Sequence, residues 1–177
     1  MTSLIANLRR LNDHLAIAVG LALLACVAFT LSEIVIRRFA VSVGGVDEIS
    51  GYVMAVTTSW GVSYALTERA HVRIDLLRNQ MVPLGRSILD VIAIASMAFM
   101  AVYVAWRGWS VLSKTLSTGA LANTPLETPL WIPQSLWWAG WSWFAISACL
   151  LLIHAMQSLI RGDLSSVEAT AGTKAEV

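Results

Sequence analysis

The chain has 177 residues, 57% of them hydrophobic and 13% charged, with a formal net charge of +1 and a mean hydropathy of +0.70. That balance is too apolar for a soluble domain of this length, and it points to no nucleic-acid partner. The charges fall between long runs free of Asp, Glu, Lys and Arg: His14–Ser32 (19 residues), Ile49–Thr67 (19), Val91–Trp106 (16) and Thr128–Ile160 (33). A bilayer core of about 30 Å takes roughly 20 apolar residues as a helix. The expectation is an all-α, multi-pass integral membrane protein with four transmembrane helices, at about 12–37, 48–67, 87–108 and 133–157, forming one domain over residues 1–161. The third run reaches spanning length by including Ile88 and Leu89, with Asp90 near the lipid boundary.

Arg9 and Arg10 precede the first apolar run as in a secretory signal, but the run exceeds the usual core of about 7–15 residues and no small-x-small cleavage site closes it. It reads as a retained spanning helix. Lys and Arg set the orientation: eight lie in the N-terminal arm, the second connection and the tail, against four (Arg37, Arg38, Arg107, Lys114) on the other side. Both termini are therefore expected to be cytoplasmic. Cys26 and Cys149 lie within apolar runs, with no CxxC, and read as small apolar filler.

In chain order, the first helix runs from about Leu11 to Phe39. Near its end Glu33, Arg37 and Arg38, with Asp47 beyond the turn, form an outer-boundary charge cluster, and Glu33 and Arg37 share a face. Asp47 is placed to cap the second helix, and Glu48 adds charge of the sign that a helix N-terminus favours. In that helix Gly51, Ala55, Ser59, Ser63 and Thr67 recur every four residues, while Thr57, Gly61 and Ala65 make a second small strip. A bulky ridge of Tyr52, Val56, Trp60 and Tyr64 runs between them. Small residues in lipid mark faces where helix backbones meet, so this helix is expected to be sandwiched, one face within the chain and the other against a larger partner.

The stretch LTERAHVRIDLLR, Leu66–Arg78, carries six ionisable groups. Alternation from Val72 suggests a short segment lying along the interface between helices two and three, with its arginines towards lipid phosphate. A lone His71 amid arginines is poor material for a proton relay. The third helix reads as very long, Arg86 to Gly119, and must tilt or project beyond Trp106 and Trp109. Pro125, Pro129 and Pro133 then make a stiff approach to the last helix, with Pro133 in its first turn. Trp106, Trp109, Trp131, Trp137, Trp138 and Trp141 read as interfacial aromatic anchors, although five tryptophans between Trp131 and Trp143 exceed what anchoring needs. Residues 162–177 read as a disordered cytoplasmic tail.

No phosphate loop, facing pair of mid-membrane histidines or surface cysteine pair is present, so no catalytic residue, cofactor or metal site is expected. The spans contain no internal proline and no mid-span Arg, Lys or Asp, which disfavours a substrate pathway built of broken helices. A helper subunit fits best. The combination of RRF (37–39), VDEISGY (46–52) and SWGVSYALTERAHVRIDLL (59–77) resembles the small membrane subunit of tripartite ATP-independent periplasmic (TRAP) transporters, over roughly Leu8–Arg161. The motif residues are Glu48, Trp60, Gly61, His71, Val72, Arg73, Ile74 and Asp75, and Arg69 and Ala70 depart slightly from the family pattern.

The resemblance implies a bacterial inner-membrane protein that scaffolds a large elevator-type subunit during sodium-coupled uptake of an organic acid delivered by a periplasmic substrate-binding protein. It makes the large membrane subunit, the binding protein and the lipid bilayer the expected partners. Glu48, Gly51, Ala55, Ser59, Trp60, Gly61, Ser63, His71, Arg73 and Asp75 become candidate contacts with the large subunit. A self-sufficient homo-oligomeric small transporter and a membrane redox subunit are the alternatives.

Overall fold

The computed structural model describes residues 2–39, 44–70, 78 and 80–172. Four long helices, α1 (Thr2–Phe39), α2 (Val46–Thr67), α3 (Pro83–Thr118) and α4 (Trp131–Ile160), are followed by a short helix α5 (Leu164–Ala171). Among the described residues there is no strand, only an isolated bridge between Leu121 and Pro129 in the α3–α4 loop. Among the described residues three helices, α1, α3 and α4, are long and apolar enough to cross a membrane. With 22 residues, α2 is about 33 Å long at 1.5 Å per residue, and its Ser, Thr and Gly content keeps it out of that set. At 36 residues α3 extends about 54 Å, as its unbroken sequence led one to expect.

The helices stand in an open row in the order α1, α2, α4, α3. Helix α2 packs against α1 on one side and α4 on the other, α4 packs against α3, and the described residues show no packing of α1 or α2 on α3. The seams are built from small side chains. Ala98 and Ala101 of α3 meet Ala145, Ala148 and Ala155 of α4, with Ile94, Phe144 and Leu151 filling between them. Small residues let helix axes approach and gain dispersion contacts where lipid supplies no hydrophobic drive. Helix α1 is the most peripheral, with only 6% of its most apolar stretch buried.

Three expectations are corrected. Helix α1 begins at Thr2 rather than near Leu11, because Ile5 and Leu8 join the common core with Leu66. Asp47 does not cap α2. The helix starts one residue earlier, behind Gly45 in a left-handed conformation (φ 75°), and has no side-chain cap. Gly45 is required twice over, since a Cβ there would also lie 2.5 Å from Leu126 of the α3–α4 loop.

The tail forms helix α5 where disorder was expected. Asp163 caps it by accepting from the Ser166 N–H and from the hydroxyls of Ser165 and Ser166. Those bonds, Ser166 first, hold its carboxyl down at about 2. Val167, Thr170 and Ala171 are buried as α5 packs on α3 and α4. The interfacial segment expected at 71–77, with His71, Arg73 and Asp75, lies outside the described residues.

Candidate functional site: packing seams and an arginine-held tail

The small strip of α2 divides in two. Ser59, Ser63 and Thr67 are buried. The crossing with α4 is closest at Gly140, where an added Cβ would sit 2.4 Å from the Ser59 Oγ and 2.8 Å from the Trp60 ring. No other residue type fits there without moving a helix. The Trp60 Nε1 donates to the Leu136 carbonyl of α4 at 3.0 Å, which fixes the same crossing. Gly51 and Ala55 are exposed, and a Cβ added at Gly51 or Gly61 meets nothing within 4 Å. Since α1 and α4 flank α2, two small-residue faces do not by themselves require a second protein. The uncovered face of α2 holds Gly51, Met54, Ala55 and Thr58, with open space beside Gly61.

At the other end of α2, Glu48 accepts from the Tyr52 hydroxyl at 2.8 Å and from the Thr124 hydroxyl of the α3–α4 loop. This carboxylate thus ties the start of α2 to the loop that leads into α4. In the boundary cluster Glu33 is buried, while Arg37, Arg38 and Asp47 are exposed.

The tryptophans separate by helix face. Trp106, Trp109 and Trp131 are exposed. Trp137 and Trp138 close over Gly108, where an added Cβ would lie 3.2 Å from each ring. The Trp138 Nε1 donates to the Ala105 carbonyl at 2.9 Å, and its ring stacks at a tilt on Trp109. Trp141 meets both Trp137 and Phe144 edge-on. Trp137 and Trp138 therefore serve the α3–α4 seam, a role that a count of tryptophans cannot distinguish from anchoring.

Two constellations were not read from sequence. Asn12, 1% exposed, joins three helices: its amide donates to the Ser63 carbonyl and the Thr67 hydroxyl, each at 3.4 Å, and its carbonyl accepts from the Trp143 Nε1 at 2.7 Å. The second centres on Arg78. Its guanidinium donates to both oxygens of Asp90 at 3.0 Å and to Glu168 of α5 at 3.1 Å. Both Arg78 and Asp90 are buried, and the Asp90 bonds keep the guanidinium charged by raising an already high pKa despite its partial burial. Arg69 and Arg9 donate to the backbone carbonyls of Glu168 and Ala169 at 3.3 and 3.4 Å. Three arginines from separate parts of the chain thus hold the tail helix. The signal available in sequence was Asp90 itself, an acid beside an apolar run with few reasons to be there except a partner.

Among the described residues no group of His, Cys, Asp and Glu could hold a metal ion. The polar side chains instead join helices to one another. These features define a class, an all-helical membrane component whose residues are committed to packing. The chain matches the family model described as tripartite ATP-independent periplasmic transporters, DctQ component, over residues 25–164. It belongs to this family, the small component of TRAP transporters, and is accordingly a transporter component and not an enzyme. No curated protein and no solved structure matches it.

Proposed function

We propose that this chain is the small permease subunit of a sodium-coupled TRAP transporter in the bacterial inner membrane. It scaffolds a large elevator-type subunit during uptake of an organic acid that a periplasmic binding protein delivers. The observation that carries this reading is the open row of helices in a member of the DctQ family. A single row encloses no interior, so it offers no path for a polar solute, and its long unbroken helices suit a stationary frame. In this reading all four long helices span the membrane, α2 being held at the depth of α1 and α4 on either side, and both termini are cytoplasmic. The α2 face of exposed Gly51 and Ala55 and half-buried Gly61 is the favoured contact with the large subunit.

Co-expression with the neighbouring genes and purification on a tagged small subunit tests this. A large membrane protein should co-purify, and the reconstituted pair should take up an organic acid in the presence of binding protein and a sodium gradient. Uptake should vanish without the small subunit. Purification as a homo-oligomer that transports unaided, or as a coloured redox protein, overturns the assignment.

A further inference from the structure

Between the first turns of α1, the last turns of α4 and the tail helix lies an open pocket of about 390 Å³. Ile5, Ala6 and Arg9 line it from α1, His154 from α4, and Ser166, Ala169 and Thr170 from α5, with no acidic side chain among the described residues of its walls. One terminal nitrogen of Arg9 donates to the Ala169 carbonyl, while the Arg9 Nε is hidden from solvent and has no hydrogen-bond partner among the described residues. The Arg9 guanidinium lines the pocket, and its one hydrogen bond among the described residues goes to a neutral carbonyl, so its charge has no anionic partner there. The Thr170 hydroxyl donates to the Ser166 carbonyl at 2.8 Å, which leaves its oxygen to accept from the His154 Nδ1 at 3.2 Å. This orientation leaves the far ring nitrogen of His154 uncommitted. Of the described tail carboxylates, Asp163 is occupied by Ser165 and Ser166 and Glu168 by Arg78.

Position and lining identify the ligand class. Both α1 and α4 are long and apolar enough to cross a membrane, and the pocket lies where the two leave their apolar stretches. A guanidinium is the group best matched to a phosphate, and Ile5 and Ala6 supply apolar wall beside it. We propose that this pocket binds the phosphate of an anionic phospholipid, with the Arg9 guanidinium as its donor. The bound lipid bridges α1, α4 and the tail helix. The site is independent of the transporter reading, since it uses none of the α2 surface.

The test is native mass spectrometry of the purified full chain, with any co-purifying subunit, titrated separately with phosphatidylglycerol, phosphatidylcholine and inorganic phosphate. Wild type should retain phosphatidylglycerol about tenfold better than phosphatidylcholine, because both offer a phosphodiester but the choline cation is repelled by Arg9. Arg9→Gln should remove that preference, and Arg10→Gln, on the exposed neighbour, should not. Ala6→Trp fills the pocket mouth without changing any charge and should also remove it, which keeps the proposal open to refutation if Arg9→Gln misfolds. Equal retention in wild type and Ala6→Trp overturns the site. Saturable binding of inorganic phosphate with no lipid preference overturns the lipid assignment in favour of a free phosphate.

Discussion

The indole of Trp143 donates to the side-chain carbonyl of Asn12 across 2.7 Å, joining α4 to the first helix through a residue that also reaches α2. Helix α1 packs extensively on α2 but meets α4 only slightly, so this bond is central to the link between α1 and α4. Asn12→Leu should loosen α1, leaving the Trp143 N–H without its acceptor. A double-mutant cycle of Asn12→Leu with Trp143→Phe should give a coupling of about 0.6–1.7 kcal/mol, the range for hydrogen bonds between membrane helices. Unfolding in mixed micelles measures it, and additive losses would remove Asn12 from this role.

Gly140 and Gly61 should respond in opposite ways. Gly140→Leu drives a side chain into Ser59 and Trp60 and should abolish recovery of the folded chain itself. Ser59→Leu acts on the same crossing and should cost about 1–3 kcal/mol of the chain's own stability. Gly61→Leu meets open space, so the chain should fold normally and only the complex with the large subunit should suffer. Thermal stability of the isolated chain set against yield of the complex separates the two. Normal complex with Gly61→Leu would show that the large subunit docks elsewhere.

Arg78→Met removes the bidentate partner of the buried Asp90 carboxylate and should destabilise the chain by about 3–5 kcal/mol. Arg78→Met with Asp90→Leu should recover much of that loss, because no buried charge remains. Glu168→Gln should cost less than about 1 kcal/mol, since the Glu168 side chain is 60% exposed. Limited proteolysis after Arg161 reports release of the tail helix and should follow the same order.

Topology is tested by single cysteines in a background lacking Cys26 and Cys149. Cysteines at Gln80 and Gly162 should be shielded from impermeant thiol reagents added outside intact cells, and one at Asn123 should be labelled. Gln80 is preferable to Arg78, whose burial would shield a cysteine on either side of the membrane. Labelling at Gln80 would reverse the orientation.

How much could be read in advance follows from the range of each interaction. Apolar runs, the unbroken length of α3, the proline entry to α4 and the small strip of α2 are local patterns, visible because helix periodicity and hydropathy act over a few turns. The family motif in Glu48, Trp60 and Gly61 was likewise legible, and with it the membership itself. The tail helix was missed because it is short and has few apolar residues. Its signals were an Asp163 cap and the spacing of Val167 and Ala171, both weak without the α3 and α4 surfaces that bury them.

The sequence by itself determined that this is a helical membrane protein of long unbroken segments, since burial in lipid requires every backbone group to be satisfied within its own helix. Only the tertiary structure decided the order of the row, the split of the tryptophans between exposed faces and the α3–α4 seam, and the convergence of Arg9, Arg69 and Arg78 on α5. These depend on which helix stands beside which. In an apolar solvent that choice rests on close approach at residues such as Gly140 and on single polar pairs such as Asn12 with Trp143. Such contacts join residues about 80 to 131 positions apart and leave no periodic trace in the chain.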